Sequence, residues 1–304
     1  MLKNVIRYPM VFTLFLCLII VLAACGGGQQ AVAVTLSPSA PEQTDTAQPP
    51  TPTTPPLAAT VNGEGIWLED YQSELARLQD AQTEMGKTVS AEEAAKMILD
   101  NLAAETLLAQ AAGKEGYQLD DAGYQGKLDE VTQKAGGADK LAAWMQTNHY
   151  TETGLKRAFT RTLAADWERQ KIIDAVPQTA EQVHASQILV KEEATANSIY
   201  SQLQSGSAFD DIAKKYEPLT GGDLGWFPRG VLYQSDVENA VFNLQPGEYS
   251  PVIKTSYGFH LVKCIERDPQ HALTPETRLL LQHQQLEKWM KDALSAAKIE
   301  ILIN

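Results

Sequence analysis

The chain has 304 residues and a formal net charge of −13 at pH 7. That balance argues against nucleic acid as a partner, because phosphates select a basic face. Its cysteines, Cys17, Cys25 and Cys264, fall in no Cys/His cluster of zinc-ligand spacing, which weighs against a metal site.

In chain order, Lys3 and Arg7 precede an apolar run from Val11 to Leu22. A cationic start, a short hydrophobic stretch and small residues before a break describe an export signal. The run ends in Leu22-Ala23-Ala24-Cys25, which is similar to the lipobox of bacterial lipoproteins. That resemblance implies a signal peptide over 1–24, lipidation of Cys25 and an extracytoplasmic protein anchored to the bacterial cell membrane. An N-terminal transmembrane helix is the alternative. The run is short for a span, and Gly26-Gly27-Gly28 follows with no basic stop-transfer flank. Removing residues 1–24 takes away Lys3 and Arg7 and no acid, so the net charge falls from −13 to −15. With Cys17 removed and Cys25 acylated, Cys264 is left alone and no intrachain disulfide is expected. Cys264 sits in a strand-like run and reads as a small core residue.

Residues 25–57 are rich in Gln, Ala, Ser, Thr and Pro, with almost no large apolar side chain after Leu36. Such a segment cannot bury a core and is expected to be a disordered, extended tether or a plain spacer. At about 3.1 Å per residue it reaches on the order of 90 Å.

Folded sequence is expected from Ala58. Ala59-Thr60-Val61 followed by Asn62-Gly63 predicts a short strand and a turn. Trp67, Leu68, Tyr71, Leu75 and Leu78 recur at helical spacing. Ser90 with Glu93 three residues on predicts a capping box for a second helix, ending near Gly113. Further helices fit Asp120–Ala135, Ala138–Asn148 and Glu152–Val176. The pattern changes at Gln182: Val183–Val190 is β-rich, and a helix with Ile199 and Leu203 and a short helix over Ser207–Tyr216 follow. A Gly-rich stretch from Gly221 to Phe227, a helix through Val237–Leu244, a turn at Pro246-Gly247 and a closing strand over Tyr257–Ile265 complete a compact α+β module. An amphipathic helix over Thr274–Ala297 and alternating Ile299, Ile301 and Ile303 end the chain.

Five blocks occur in one order: VHASQILV at 183–190, FDDIAKKY at 209–216, GGDLGWF at 221–227, LQPGE at 244–248 and TSYGFHLV at 255–262. Together they resemble the parvulin-type (PpiC, rotamase) peptidylprolyl isomerase domain. Asn62-Gly63 leading into a helix, and the C-terminal helix with Trp289, resemble the chaperone segments of PrsA/SurA-like foldases. The resemblance implies an α+β protein with a mostly helical chaperone domain over 58–178, similar to the SurA N-terminal domain. A parvulin-like domain with a small antiparallel sheet would follow over 179–268, and a C-terminal helix and strand over 269–304 would pack on the helical domain. It implies cis-trans isomerisation of Xaa–Pro bonds in unfolded or newly exported polypeptides, without a cofactor, and leaves a homodimer open.

The resemblance also assigns positions. Leu224, Phe227, Leu232, Val237 and Phe242 match the socket that takes the proline ring, Val237 standing where a larger aromatic is usual; ordinary core packing is the other reading of each. Thr255 and His260 match the polar network. Gln187 stands where the family commonly has a histidine, and the loop Glu217–Thr220 is short where an acid or cysteine is common. His184 lies three residues from Gln187, so strand alternation turns it to the opposite face. Gln187 can donate and accept hydrogen bonds but cannot share a proton at neutral pH. His260 therefore reads as catalytic, or as a structural histidine bonded to Gln187 or Thr255. The second functional reading is a weakly active chaperone whose aromatics Trp67, Tyr71, Trp144, Trp167 and Trp289 cradle unfolded segments. A solute-capturing lipoprotein would need a two-lobed α/β pattern that the sequence lacks.

Overall fold

The computed structural model describes residues 55–303. The expected signal peptide, Cys25 and residues 25–54 of the tether lie outside the described residues. The described chain divides into two compact units, residues 55–168 with 293–303, and Arg169–Asp292.

The first unit opens with β1 (Leu57–Val61) and β2 (Glu64–Trp67), which pair antiparallel across Asn62-Gly63. Both turn residues have positive φ, 53° and 88°, as a tight turn between twisted strands requires. Trp67, expected in a helical stripe, instead ends β2 and caps α1 (Leu68–Glu84), with the Arg157 guanidinium 5.2 Å from its ring centre. Helix α2 (Ala91–Lys114) starts with the expected capping box: Ser90 Oγ accepts the Glu93 N–H and the Glu93 carboxylate accepts the Ser90 N–H. Its buried stripe includes Ala94, Ile98, Leu102, Leu108 and Ala112. Then come α3 (Asp121–Ala135), α4 (Ala138–Thr147) and α5 (Glu152–Asp174). Arg157 of α5 reaches Glu69 and Asp70 at 2.6 Å, and Arg161 reaches Glu105 of α2 at 2.8 Å. Three helices are thus joined by ion pairs around Asp70, which is 6% exposed.

The second unit holds β3 (Thr179–Val190), α6 (Glu193–Gln204), α7 (Phe209–Tyr216), β4 (Asp223–Pro228), α8 (Ser235–Asn243), β5 (Ile253–Thr255) and β6 (Gly258–Ala272). Helix α9 (Pro275–Ala296) and strand β7 (Ile299–Ile301) close the chain. The division between the units falls within α5 and α9. β7 lies on the free edge of β1, giving the antiparallel order β2-β1-β7 in the first unit. The second unit has an antiparallel sheet of order β4-β3-β6-β5. The fold is therefore α+β, with a helical N-terminal region and a small antiparallel sheet in the second unit.

Several strands differ from the sequence expectation. The Gly-rich stretch contains a strand, β4: Gly221 and Gly222 precede it, and Gly225, with φ +69°, lies inside it where the pairing with β3 shifts register. β3 and β6 each run several residues longer than expected, pairing from Val190 and Phe259 to Thr179 and Ala272. Their outer halves carry polar residues, so apolar alternation does not mark them.

Alternation along β3 divides the second unit's core. Val183 and Ala185 face α8 and meet Phe227, Val237, Val241, Phe242, Val262 and Cys264. Ile188 and Val190 face the other way, onto Ala196, Ile199, Leu203, Phe209 and Ile212 of α6 and α7. Cys264 is fully buried, as its strand position suggested.

Candidate active site

Three polar side chains extend the α8 face of the sheet beyond its apolar part. Side chains two apart on a strand share a face. Gln187 follows Ala185 on β3, Thr255 follows Ile253 on β5, and His260 precedes Val262 on β6. In each pair the apolar partner belongs to the cluster under α8. The three meet: His260 Nε2 lies 2.9 Å from Thr255 Oγ1, and His260 Nδ1 lies 3.3 Å from Gln187 Oε1.

Gln187 Oε1 can only accept, so Nδ1 carries a proton, and the Thr255 hydroxyl lies between two acceptors, Nε2 of the neutral ring and the Gly258 carbonyl at 3.3 Å. Thr255 Oγ1 in turn accepts the Tyr257 N–H at 3.0 Å. His260 is 4% exposed. Burial, reinforced by the nearby Lys191 charge, lowers its pKa below the ordinary imidazole value, so it stays uncharged at neutral pH.

The socket candidates come together in one apolar cluster. Phe227 and Phe242 meet edge to face at 6.1 Å and are each 3% exposed, and Val237 is 2% exposed. These three form the floor. Leu224 and Leu232 are only partly buried and present the reachable surface.

Sequence reasoning missed the residue that holds Leu232. Glu238 of α8 is buried, and its carboxylate accepts the backbone N–H groups of Gly230 at 2.8 Å, Val231 at 3.1 Å and Leu232 at 3.0 Å. Its signal was an acid at helical spacing from Val241 and Phe242. Gly222 fixes the other side of the site. Its carbonyl accepts the Gln187 N–H at 2.8 Å, its φ is +79°, and a Cβ there would lie 2.1 Å from the Gln187 carbonyl oxygen.

His184 is on the opposite face from Gln187, as alternation required. It pairs with Asp223 at 2.8 Å and lies against Trp226, whose other neighbour is the stacked His271 ring at 4.2 Å. Asp223 also accepts the Gly225 N–H, and that bond, before the His184 contact, lowers its pKa. Among the described residues, no group of three His, Cys, Asp or Glu side chains could hold a metal ion. No helix among them is long and apolar enough to cross a membrane.

Two family models match the chain: the PPIC-type PPIASE domain over residues 175–266, and the SurA-like N-terminal domain over residues 1–173. The chain is 31% identical over 227 residues to foldase protein PrsA of Caldanaerobacter subterraneus subsp. tengcongensis, covering 68% of this chain and 72% of that one. It is 27% identical over 186 residues to foldase protein PrsA of Geobacillus kaustophilus, covering 58% and 64%. Among solved structures, the peptidylprolyl isomerase PrsA of Bacillus cereus aligns with a TM-score of 0.44 at 22% identity, covering 79% of this chain and 92% of that one.

Proposed function

The chain belongs to the PrsA foldase family, and from that premise we propose that it rotates Xaa–Pro bonds in newly exported polypeptides while held to a bacterial membrane through Cys25. Its PPIC-type domain makes it a peptidylprolyl cis-trans isomerase. The uncatalysed rotation faces a barrier of about 18–20 kcal/mol and takes tens of seconds or more. No covalent bond is made or broken, so a site must only bind the twisted amide better than either planar form.

The observation that carries the site assignment is the continuity of the α8 face, from the apolar cluster into the Thr255–His260–Gln187 chain. In this reading the proline ring rests on Leu224 and Leu232, with Phe227, Val237 and Phe242 behind. Water is excluded there, which strengthens the polar contacts made at the edge. The Thr255 hydroxyl then turns its proton from His260 Nε2 to the amide as it loses resonance, and the buried neutral imidazole of His260 holds that hydroxyl in place. The network needs no acid or thiol for this, and Gln187 serves by orienting the ring.

The test is refolding of a client protein whose slow phase is limited by prolyl isomerisation. The expected result is acceleration of that phase, reduced in Leu232→Ala. An unchanged slow phase with folded protein overturns the reading.

A second reading rests on Gln187, the residue that replaces the family's usual histidine: a slow isomerase that acts mainly as a chaperone. It expects a chain lacking 182–268 still to suppress aggregation of an unfolded client. The membrane assignment has its own check, since Cys25→Ser should release the protein from the membrane fraction.

A further inference from the structure

Tyr233 and Tyr257 stand out among the aromatics of the second unit. Tyr233 is 85% exposed and Tyr257 50% exposed, yet their rings meet edge to face with centres 5.9 Å apart and planes at 88°. Neither ring is part of the core. The two come from different loops, one between β4 and α8 and the other between β5 and β6.

Both loops are rigidly held. Leu232, directly before Tyr233, is fixed by Glu238. Tyr257 donates its N–H to Thr255 at 3.0 Å, and its carbonyl accepts from Lys191 Nζ at 2.9 Å. Gly258, next along, has φ +140° and lies so close to β3 that a Cβ would sit 2.5 Å from the Val190 carbonyl oxygen. The pair therefore joins the socket wall at Leu232 to the polar chain at Thr255. A peptide residue neighbouring a proline on Leu232 is one extended step away, about 3.3–3.6 Å. Aromatic rings meeting edge to face leave faces and edges open to a third ring.

We propose that Tyr233 and Tyr257 form a specificity subsite that takes an aromatic side chain next to the client's proline, an inference that rests on the isomerase reading above. Exposed tyrosines prepositioned in this way gain contact area on binding at little ordering cost.

The test uses the full chain and short peptides with Ala, Leu, Glu, Phe or Tyr on either side of the proline. Isomerisation is followed by exchange NMR, and binding by ring-current shifts of the peptide protons. Aromatic peptides should exceed the alanine peptide in kcat/KM by about three- to tenfold. That ratio should fall to about one in Tyr233→Ala/Tyr257→Ala and survive in Tyr233→Phe/Tyr257→Phe, since the ring rather than the hydroxyl makes the contact. An unchanged ratio in the alanine double variant, or no aromatic preference at all, overturns the subsite. Aromatic-selective binding that the alanine variant loses, without any acceleration, upholds the subsite and overturns the isomerase reading. Acceleration that treats every peptide alike overturns the subsite alone.

Discussion

His260 carries the sharpest consequence of a single side chain. Its folded-state pKa lies below the unfolded value, so below about pH 6.5 the unfolded chain binds a proton that the folded one resists. The stability it contributes is present above that pH and is lost as pH falls toward its folded pKa. Unfolding of the wild type and His260→Gln, compared between about pH 8 and pH 5, should show a steeper acid loss in the wild type. Parallel curves would mean that the ring is not held neutral. Glu238 gives a second prediction. Glu238→Ala leaves the Gly230, Val231 and Leu232 N–H groups without their acceptor, at a cost of about 1–3 kcal/mol. The loop carrying Leu232 then loosens, so KM for proline peptides should rise more than stability alone explains. Both polar sites were unequally legible in the sequence. The opposite facing of His184 and Gln187 follows from strand parity. Glu238 was hidden because an acid in a helix's first turn reads as a favourable terminal charge.

Strands and helices were legible in different degrees, for physical reasons. The helices of the first unit announce themselves by apolar spacing and caps, Ser90 above all. β4 and β5 did not, because one begins among glycines and the other has only three residues. The ion pairs from Arg157 and Arg161 to Glu69, Asp70 and Glu105 were not legible either, since they join residues 56 to 91 positions apart. Two substitutions separate a local signal from a tertiary one. Ser90→Ala removes an exposed cap and should cost about 0.5–2 kcal/mol without affecting peptide turnover. Gly222→Ala must instead displace β3 or the β4 approach, because of the Gln187 carbonyl and the positive φ. It should cost more than the 1–3 kcal/mol or so of backbone strain alone and lower turnover with it. Denaturant titration with a parallel isomerisation assay checks both. Equal, small losses would show that the Gly222 contact is soft.

The order of the five sequence blocks made the isomerase domain legible within 183–262. The boundaries between the two compact units fall inside α5 and α9, whose helical patterns run through them unbroken. Pairing of β1 with β7 brings residues 57–61 and 299–301 together. The Asn62 N–H donates to the Lys298 carbonyl at 2.8 Å, and Leu302 N–H to the Ala58 carbonyl at 2.9 Å. A chain ending at Ala297 should lose hydrogen-exchange protection at Asn62, while amides of β3 keep theirs. Retained protection at Asn62 would contradict the closure of the first unit by β7.

The central claim is that the face built by Leu224, Leu232, Thr255, His260 and Gln187 rotates Xaa–Pro bonds, and exchange NMR on short Xaa–Pro peptides tests it without a coupling protease. The wild type should exchange cis and trans faster than the uncatalysed tens of seconds, and both His260→Ala and Leu232→Ala should lower kcat/KM by about tenfold or more. Wild-type rates in both variants, or no acceleration of any peptide by folded protein, would contradict the account.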